Sequence, residues 1–362
     1  MYDLIVIGGG PAGASAAIIA ARSDAGVLLL ERGKFPRHKV CGEFVSAESL
    51  ALLASLLEPN AAALLDGAIR ISQARVYLDG RMLHAPVAPA AASIARLDLD
   101  AALWHAAELA GVDTRYPATV HKVSGHGPFN VLTSHGDFEG QAVINASGRW
   151  SNLTAGVHSN GDSRWIGLKA HFKEPSPANS VDLYFFEGGY CGVQPVNVQG
   201  DSAQGRVNAC AMVRSDVATS LPEVLTLHPA LQERALHWQP LSEPVSTSPL
   251  HFHQPQPVRD GVLMAGDAVA FVDPFVGDGI SLALRSGALA AESLAPFFAS
   301  KIDLAEAAAR YRDACQQRLA TVYRMSSRIR RMLVVPCTLR GPILALLERT
   351  PALTRYLITK TR

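Results

Sequence analysis

The sequence predicts an α/β protein: a parallel sheet wound with helices, an antiparallel β-sheet domain set into it, and a helical C-terminal segment. Three observations lead there. The chain opens "YDLIVIGGGPAGASAAIIAARSDAGVLLLE", which reads as strand, glycine-rich turn, helix and a second strand closed by an acid. A second glycine-rich turn, "AGDAVAFVDPFVGDGISLALRSG", lies far away, from Ala265 to Gly287. Between the two, residues 165–255 are strand-rich and broken by proline, glycine and asparagine, with one helical patch near Leu221 to Trp238.

Tyr2 to Ile7 is short, β-branched and bounded by glycine, so it reads as a buried strand. Gly8, Gly10 and Gly13 follow at once, with Pro11 and Ala12 among them, and Ala14 to Arg22 reads as a helix. Gly8 allows the tight turn, Gly10 lets a pyrophosphate approach the backbone, and Gly13 lets the helix pack close to the strand. The helix N-terminus offers free N–H groups and partial positive charge to phosphates. Val27 to Leu30 is the second buried strand. It ends in Glu31, eighteen residues after Gly13, where a carboxylate accepts hydrogen bonds from adenosine ribose hydroxyls; Arg32 follows it. Strands, helix and acid together point to an adenine dinucleotide, and at this point FAD and NAD fit alike.

The second turn bears on that choice. Val262 to Met264 is a short apolar strand ending at Ala265-Gly266-Asp267, and an apolar helix runs from Ile280 to Leu294 after the loop. A phosphate loop needs only one such turn; two imply one long ligand held at both ends. FAD has that length, with adenosine, pyrophosphate, ribityl chain and isoalloxazine. Asp267 is then placed to accept a ribityl hydroxyl. In the loop Pro274 to Ile280, the glycines Gly277 and Gly279 flank Asp278 and leave backbone N–H groups beside the flavin's N1 and C2 carbonyl. A helix starting at about Gly279 points its positive end there, which stabilises anionic reduced flavin.

These turns and three further stretches resemble the FAD-dependent family of aromatic hydroxylases, flavin-dependent halogenases and geranylgeranyl reductases. The resemblance implies a Rossmann-type FAD-binding domain (GR2-like). In "RLDLDAAL", Arg96, Leu99, Asp100 and Leu103 are similar to the family's RxxLDxxL helix, whose arginine lies by the cofactor. "NASGRWS" stands where the family has DG or DASG, which puts Ala146, Ser147 and Gly148 beside the cofactor and leaves Asn145 in place of the acid. Gly266-Asp267 is followed by "AVAFVDP" and not by the hydroxylases' Ala-Ala-His run, closer to the reductase and halogenase branch. "FPRHKVCGEFVS" is similar to an arginine–cysteine–glycine stretch that reductase-like members carry beside the flavin. It implies that Arg37 and Lys39 meet the phosphates or the flavin edge, with Cys41 and Gly42 near the ring. Cys41 also reads as a small core thiol. Glu43 reads either as a site acid or as the first-turn acid of a helix from Ala47 to Leu57.

"DLYFFEGGYCGVQPV" is the expected substrate wall. The family's sheet carries Tyr-x-Trp-x-Phe-Pro or Trp-x-Trp-x-Ile-Pro there; here Tyr190 to Pro195 stand in those places. This adds Tyr190 and Gln194 to Cys41 and Glu43 as catalytic candidates. Gly192 replaces a bulky aromatic, which leaves volume for substrate. The halogenase tryptophan pair is missing and no lysine lies close in sequence, which argues against halogenation. "RVYLDGRMLHAPV" reads as a hairpin turning at Asp79-Gly80. The expected organisation is a discontinuous FAD-binding domain (1–69, 93–157 and 256–299), a substrate-binding sheet domain (70–92 and 158–255) and C-terminal helices (300–362).

Composition narrows the function classes. With 48% hydrophobic and 18% charged residues the chain is a folded one. No apolar run reaches the roughly 18–20 residues of a membrane-spanning helix; Leu333 to Leu347 is broken by Pro336, Arg340, Gly341 and Pro342. A secretory leader is not expected, since no basic stretch precedes the first apolar run. The five cysteines form no metal or CxxC spacing and the twelve histidines no HxxxH pattern, which points to a reducing cytoplasm and no metal. Arg310 to Arg362 carries twelve basic residues against two acids. That excess reads as the solvated face of packed helices, or as peripheral contact with an anionic membrane face. No nucleic-acid motif or aromatic interleaving accompanies it, and no nucleophile triad appears.

The expected function is therefore reduction of a carbon–carbon double bond in a lipophilic small molecule by hydride from flavin N5, with NADH or NADPH as transient reductant. Two alternatives stay open. One is a monooxygenase acting on an aromatic or polyketide-like substrate through a flavin C4a-hydroperoxide. The other is a flavin electron-transfer or membrane-docking protein without turnover.

Overall fold

The chain opens with a strand, a helix and a second strand, and runs of consecutive strands follow later. The computed structural model describes residues 1–149, 153, 165–201, 205–247, 250, 254–271 and 277–324. The opening unit is β1 (Tyr2–Ile7), α1 (Pro11–Ala21) and β2 (Val27–Leu30). Next come β3 (Phe44–Val45), α2 (Leu50–Leu57), α3 (Ala61–Leu65), the long hairpin β4 (Ile69–Leu78) and β5 (Arg81–Ser93), and α4 (Arg96–Leu109). Strand β6 (Asp113–Arg115) leads into β7 (Val120–Gly125), β8 (Phe129–Thr133) and β9 (Gly136–Asn145). Then follow β10 (Trp165–Lys173), β11 (Ser180–Phe186), β12 (Gly189–Pro195) and β13 (Arg206–Arg214). Two short helices, α5 (Leu221–Leu225) and α6 (Pro229–Ala235), precede β14 (Gln239–Pro240) and β15 (Val245–Thr247). The order closes with β16 (Val258–Arg259), β17 (Val262–Met264), α7 (Gly279–Phe298) and α8 (Leu304–Arg318).

The first sheet is built around β1. It pairs in parallel with β2 on one side and β9 on the other, and β17 lies parallel outside β9. Leu4, Ile5 and Val6 are completely buried, as a central parallel strand covered on both faces requires. Helices α1 and α7 pack on one face through small residues. Ser15 Oγ donates to the Leu284 carbonyl at 2.9 Å, and a Cβ on Gly287 would run into the carbonyl oxygen of Ala12. This contact sets the two helix N-termini side by side although their sequences lie some 270 residues apart. The buried Tyr311 of α8 donates to the Met264 carbonyl at 2.6 Å and ties the last helix to the strand that feeds the second corner.

The second sheet runs β14-β10-β13-β12-β11-β4-β5-β3. The β4–β5 hairpin turns at Asp79-Gly80, both with positive φ (52° and 73°), the geometry that two-residue hairpin loops favour. Strand β11 pairs in parallel with β4, so the hairpin and the residue 165–214 strands form one sheet. The helix expected from Ala47 starts with a 3₁₀ turn, Ala47–Ser49, and becomes α-helical at Leu50. The single helical patch expected near Leu221 to Trp238 is two helices, because Pro229 starts a new one at its first position. These helices cover the outer face of the sheet. Arg234 of α6 reaches Glu174, Asp182 and the Tyr184 hydroxyl, and Arg75 shares Asp182. The residues from 325 onward, with most of the basic C-terminal excess, lie outside the described residues.

Candidate active site

Both glycine corners open onto one cavity of about 430 Å³ between the two sheets. Gly8, Gly10, Pro11 and Ala12 line it at one end, and Gly266, Asp267, Gly277, Gly279 and Ile280 line it at another. Gly8 sits at φ +105°, and a side chain there would strike the Ala146 carbonyl, so the strand can turn only with glycine. Gly13 lies behind the wall, pressed onto the Gly8 carbonyl. Helices α1 and α7 both start without a side chain capping their first N–H groups. Two uncapped positive helix ends facing one cavity make an anion site in two parts. The walls are also open for a ligand: built Cβ atoms on Gly42, Gly148 and Gly279 meet nothing within 4 Å, and one on Gly10 meets only the Arg96 guanidinium at 3.9 Å.

Glu31 closes the β2 end. Its carboxylate accepts from Gly9 N and Gly33 N, both at 2.8 Å, and from Arg37 at 2.6 and 2.8 Å. Burial alone would raise this carboxyl, but the bidentate Arg37 pair and the Gly33 N–H outweigh it and hold it at about 2. Arg37 therefore reaches the cavity through Glu31 and is not itself in the wall, whereas Glu31 and the exposed Arg32 are. Arg96 forms a bidentate pair with the fully buried Asp100 at 2.8 Å and borders the first corner.

Residues 38–43 form a strap between the sheets. Lys39 lines the cavity with a partly exposed side chain whose ammonium lies among neighbouring groups. Burial there, with the Arg37 and Arg96 charges, pushes the ammonium down to about 8. His38 stands edge-on to His171 with ring centroids 5.3 Å apart. The Cys41 carbonyl accepts from Asn208 at 3.0 Å, and its sulfur accepts from Glu43 N at 3.3 Å, while Cys41 and Gly42 both line the cavity.

Glu43 lines the cavity, and the first-turn acid of the following helix is Glu48 instead. Glu43 is fully buried with φ +60°, and its carboxylate accepts from Lys169 Nζ (2.5 Å), His171 Nε2 (2.8 Å) and Arg96 N (2.8 Å). Burial pushes this carboxyl up, yet the Lys169 charge and the His171 hydrogen bond prevail and set it at about 2. Arg206 lies 3.5 Å from His171 Nδ1, on the side of the ring away from Glu43. Sequence reasoning missed Lys169, His171 and His38. The available signal was period-two spacing, since Gly167, Lys169 and His171 share one face of β10 beneath the strap.

At the second corner Gly266 has φ +62° and donates to Ser286 Oγ at 2.8 Å. Asp267 faces the cavity with Arg149 3.5 Å away, and Arg149 lies over the Phe271 ring at 4.3 Å. Asn145 does the local work of an acid: its Oδ1 accepts from Ser147 N (3.1 Å) and Ser147 Oγ (2.5 Å), shaping the turn through Ala146 and Gly148. Asp278 turns its side chain away from the cavity, toward Ser46. Pro274 lies outside the described residues.

The far wall is apolar. Tyr190, Met212, Leu250 and Phe271 form a cluster that lines the cavity, backed by Trp165, Leu183 and Phe185. Gln194 is not in this wall; it is buried and donates to Ser93 Oγ at 2.6 Å, joining β12 to β5. The volume expected at Gly192 is filled by Leu183, whose Cδ2 lies 3.3 Å from a Cβ built there.

Comparison with known proteins agrees with this geometry. Residues 3–48 match the family described as FAD dependent oxidoreductase. The chain is 25% identical over 353 residues to digeranylgeranylglycerophospholipid reductase 2 of Methanopyrus kandleri, covering 89% of this chain and 84% of that protein. It is 28% identical over 322 residues to menaquinone reductase of Mycobacterium tuberculosis, covering 81% and 76%. Its fold is similar to that of the flavin-dependent brominase Bmp2, with a TM-score of 0.79 at 20% identity, covering 99% of this chain and 93% of that one. The fold is similar to that of flavin-dependent enzymes, and both glycine corners line one cavity. Over residues 3–48 the chain resembles the FAD dependent oxidoreductases, and over most of its length it is similar to a geranylgeranyl-type reductase and a menaquinone reductase.

Proposed function

We propose that the protein reduces a carbon–carbon double bond in a lipophilic small molecule, with NADH or NADPH as the transient source of reducing equivalents. The observation that carries this reading is the continuity of the cavity from the α7 N-terminus to the apolar cluster of Tyr190, Met212, Leu250 and Phe271. The reductases among the relatives support it. Bound FAD would supply hydride chemistry; the chain's residues supply the rest. Glu31 would accept from the ribose, and the Ala12 N–H at the α1 N-terminus would hold the diphosphate, with Arg96 beside it. Gly277, Gly279 and Ile280 would present the α7 N-terminus to the ring. The apolar wall would hold the substrate and exclude water.

The test is anaerobic reduction by NADH or NADPH, followed by mixing with oxygen. A reductase bleaches with one of the two and reoxidises without a long-lived absorbing oxygen adduct. Such an adduct would instead favour the monooxygenase. Peripheral membrane contact through the basic C-terminal segment would show as salt-sensitive co-sedimentation with anionic vesicles.

A further inference from the structure

Helix α7 begins at an acid that does not cap it. Asp278 occupies the N-cap position, and the glycines on either side of it line the cavity. Its own side chain is buried, with 2% exposed, and makes no bond to the first N–H groups of the helix. Oδ1 accepts from Ser46 Oγ at 2.9 Å, and Ser46 Oγ lies 2.7 Å from Ser281 Oγ. Oδ2 has no hydrogen-bond partner among the described residues. A buried carboxylate with an idle oxygen is expensive as an anion, and a proton on that oxygen removes the charge. The ionisable groups that face it are Glu48 from the 3₁₀ turn, Arg285 two turns along α7, and Tyr323 beyond α8. Burial dominates these and pushes the Asp278 carboxyl up to about 6, against the Ser46 hydrogen bond and the Arg285 charge.

We propose that Asp278 is a redox-linked proton acceptor for the ring seated at the α7 N-terminus. This rests on the FAD reading and deepens it. With FAD bound, a hydride donor of the dihydronicotinamide class would give the ring two electrons and one proton, leaving one added negative charge there. The Asp278 carboxylate then takes a proton from the buffer and forms an O–H bond, so charge near the helix end is unchanged overall. The reason is repulsion: a negative charge added in the cavity that Gly277 and Gly279 line raises the proton affinity of the buried carboxylate between them. The helix end can then stabilise the reduced ring without a competing anion beside it.

The test is the flavin midpoint potential against pH, measured by spectroelectrochemistry on the FAD-loaded protein from pH 5.5 to 8. Above the carboxyl's pKa, the wild-type reduction equilibrium constant should fall an extra tenfold per pH unit relative to Asp278→Asn. For a two-electron couple that is about 30 mV. Ser46→Ala removes the hydrogen bond that favours the anion and should move the wild-type break to higher pH. Parallel lines for wild type and Asp278→Asn would overturn the proposal while leaving the flavin reading intact. If Asp278→Asn does not fold, an unmoved break in Ser46→Ala overturns it. A wild-type protein that takes up no FAD would overturn the flavin reading and this proposal together.

Discussion

The carbonyl oxygen of Ala12 occupies the place where a side chain on Gly287 would lie, so α1 and α7 cross in backbone contact. Gly266 also borders Ala12, less tightly: a Cβ there would come within 2.9 Å of the Ala12 Cβ. Three residues from distant parts of the chain thus converge, and two uncapped helix ends with them. The crossing holds the two corners against one cavity.

Replacing Gly287 should therefore damage both fold and cofactor site. Gly287→Val forces the helices apart, and overpacking of this kind costs about 1–3 kcal/mol or more. The expected result is a lower Tm together with weaker FAD retention on gel filtration. An unchanged Tm would mean that the helices do not meet as described.

Glu31 should matter for FAD affinity beyond the ribose contact alone. Glu31→Ala removes an acceptor at the adenosine end and leaves Arg37 without its carboxylate. Titration of stripped protein, followed by flavin fluorescence, should show at least tenfold weaker FAD binding. Equal affinity would remove Glu31 from the site.

Glu43 should give an acid-sensitive contribution to stability. Its carboxyl is held at about 2 in the folded protein, below its unfolded value. The stabilisation is present above the unfolded pKa, near 4.3, and is lost as pH falls toward 2. Glu43→Gln leaves Lys169 charged and buried without its partner and should cost about 3–5 kcal/mol at pH 7. Adding Lys169→Met should recover much of that loss. Urea unfolding of the two variants checks both statements, and no recovery in the double variant would contradict the pairing.

Asp278 should show the opposite sign. Its carboxyl is raised to about 6, so its favourable contribution is full below the unfolded value near 3.9 and is lost as pH rises through 6. Asp278→Asn should be more stable than wild type at pH 8 by about 1–3 kcal/mol, and the difference should shrink toward pH 4. Thermal unfolding across that range reads it; a difference that grows on acidification would refute the assignment.

The two glycine corners were legible because their signals are local. A strand, three spaced glycines, a helix and Glu31 lie within thirty residues, and each glycine has a steric reason to be there. The strap's anchoring was not legible. Glu43 finds Lys169 and His171 126 and 128 residues further on, and no spacing rule spans that gap. Gln194 shows a subtler failure. Strand alternation puts it on the same face as Tyr190, but at roughly 3.3 Å per residue it sits about 13 Å further along, past the cavity and against Ser93. Gly192 misled for the same reason: a missing side chain leaves room only if a neighbour does not fill it, and Leu183 on the paired strand does.

A crystal structure of the FAD-loaded protein would decide the matter. It should show one FAD per chain, its diphosphate against Gly10 to Gly13 and its tricyclic ring against Gly277 to Ile280. Nucleotide density confined to the first corner, with the second corner filled by protein side chains, would contradict a single ligand bridging α1 and α7.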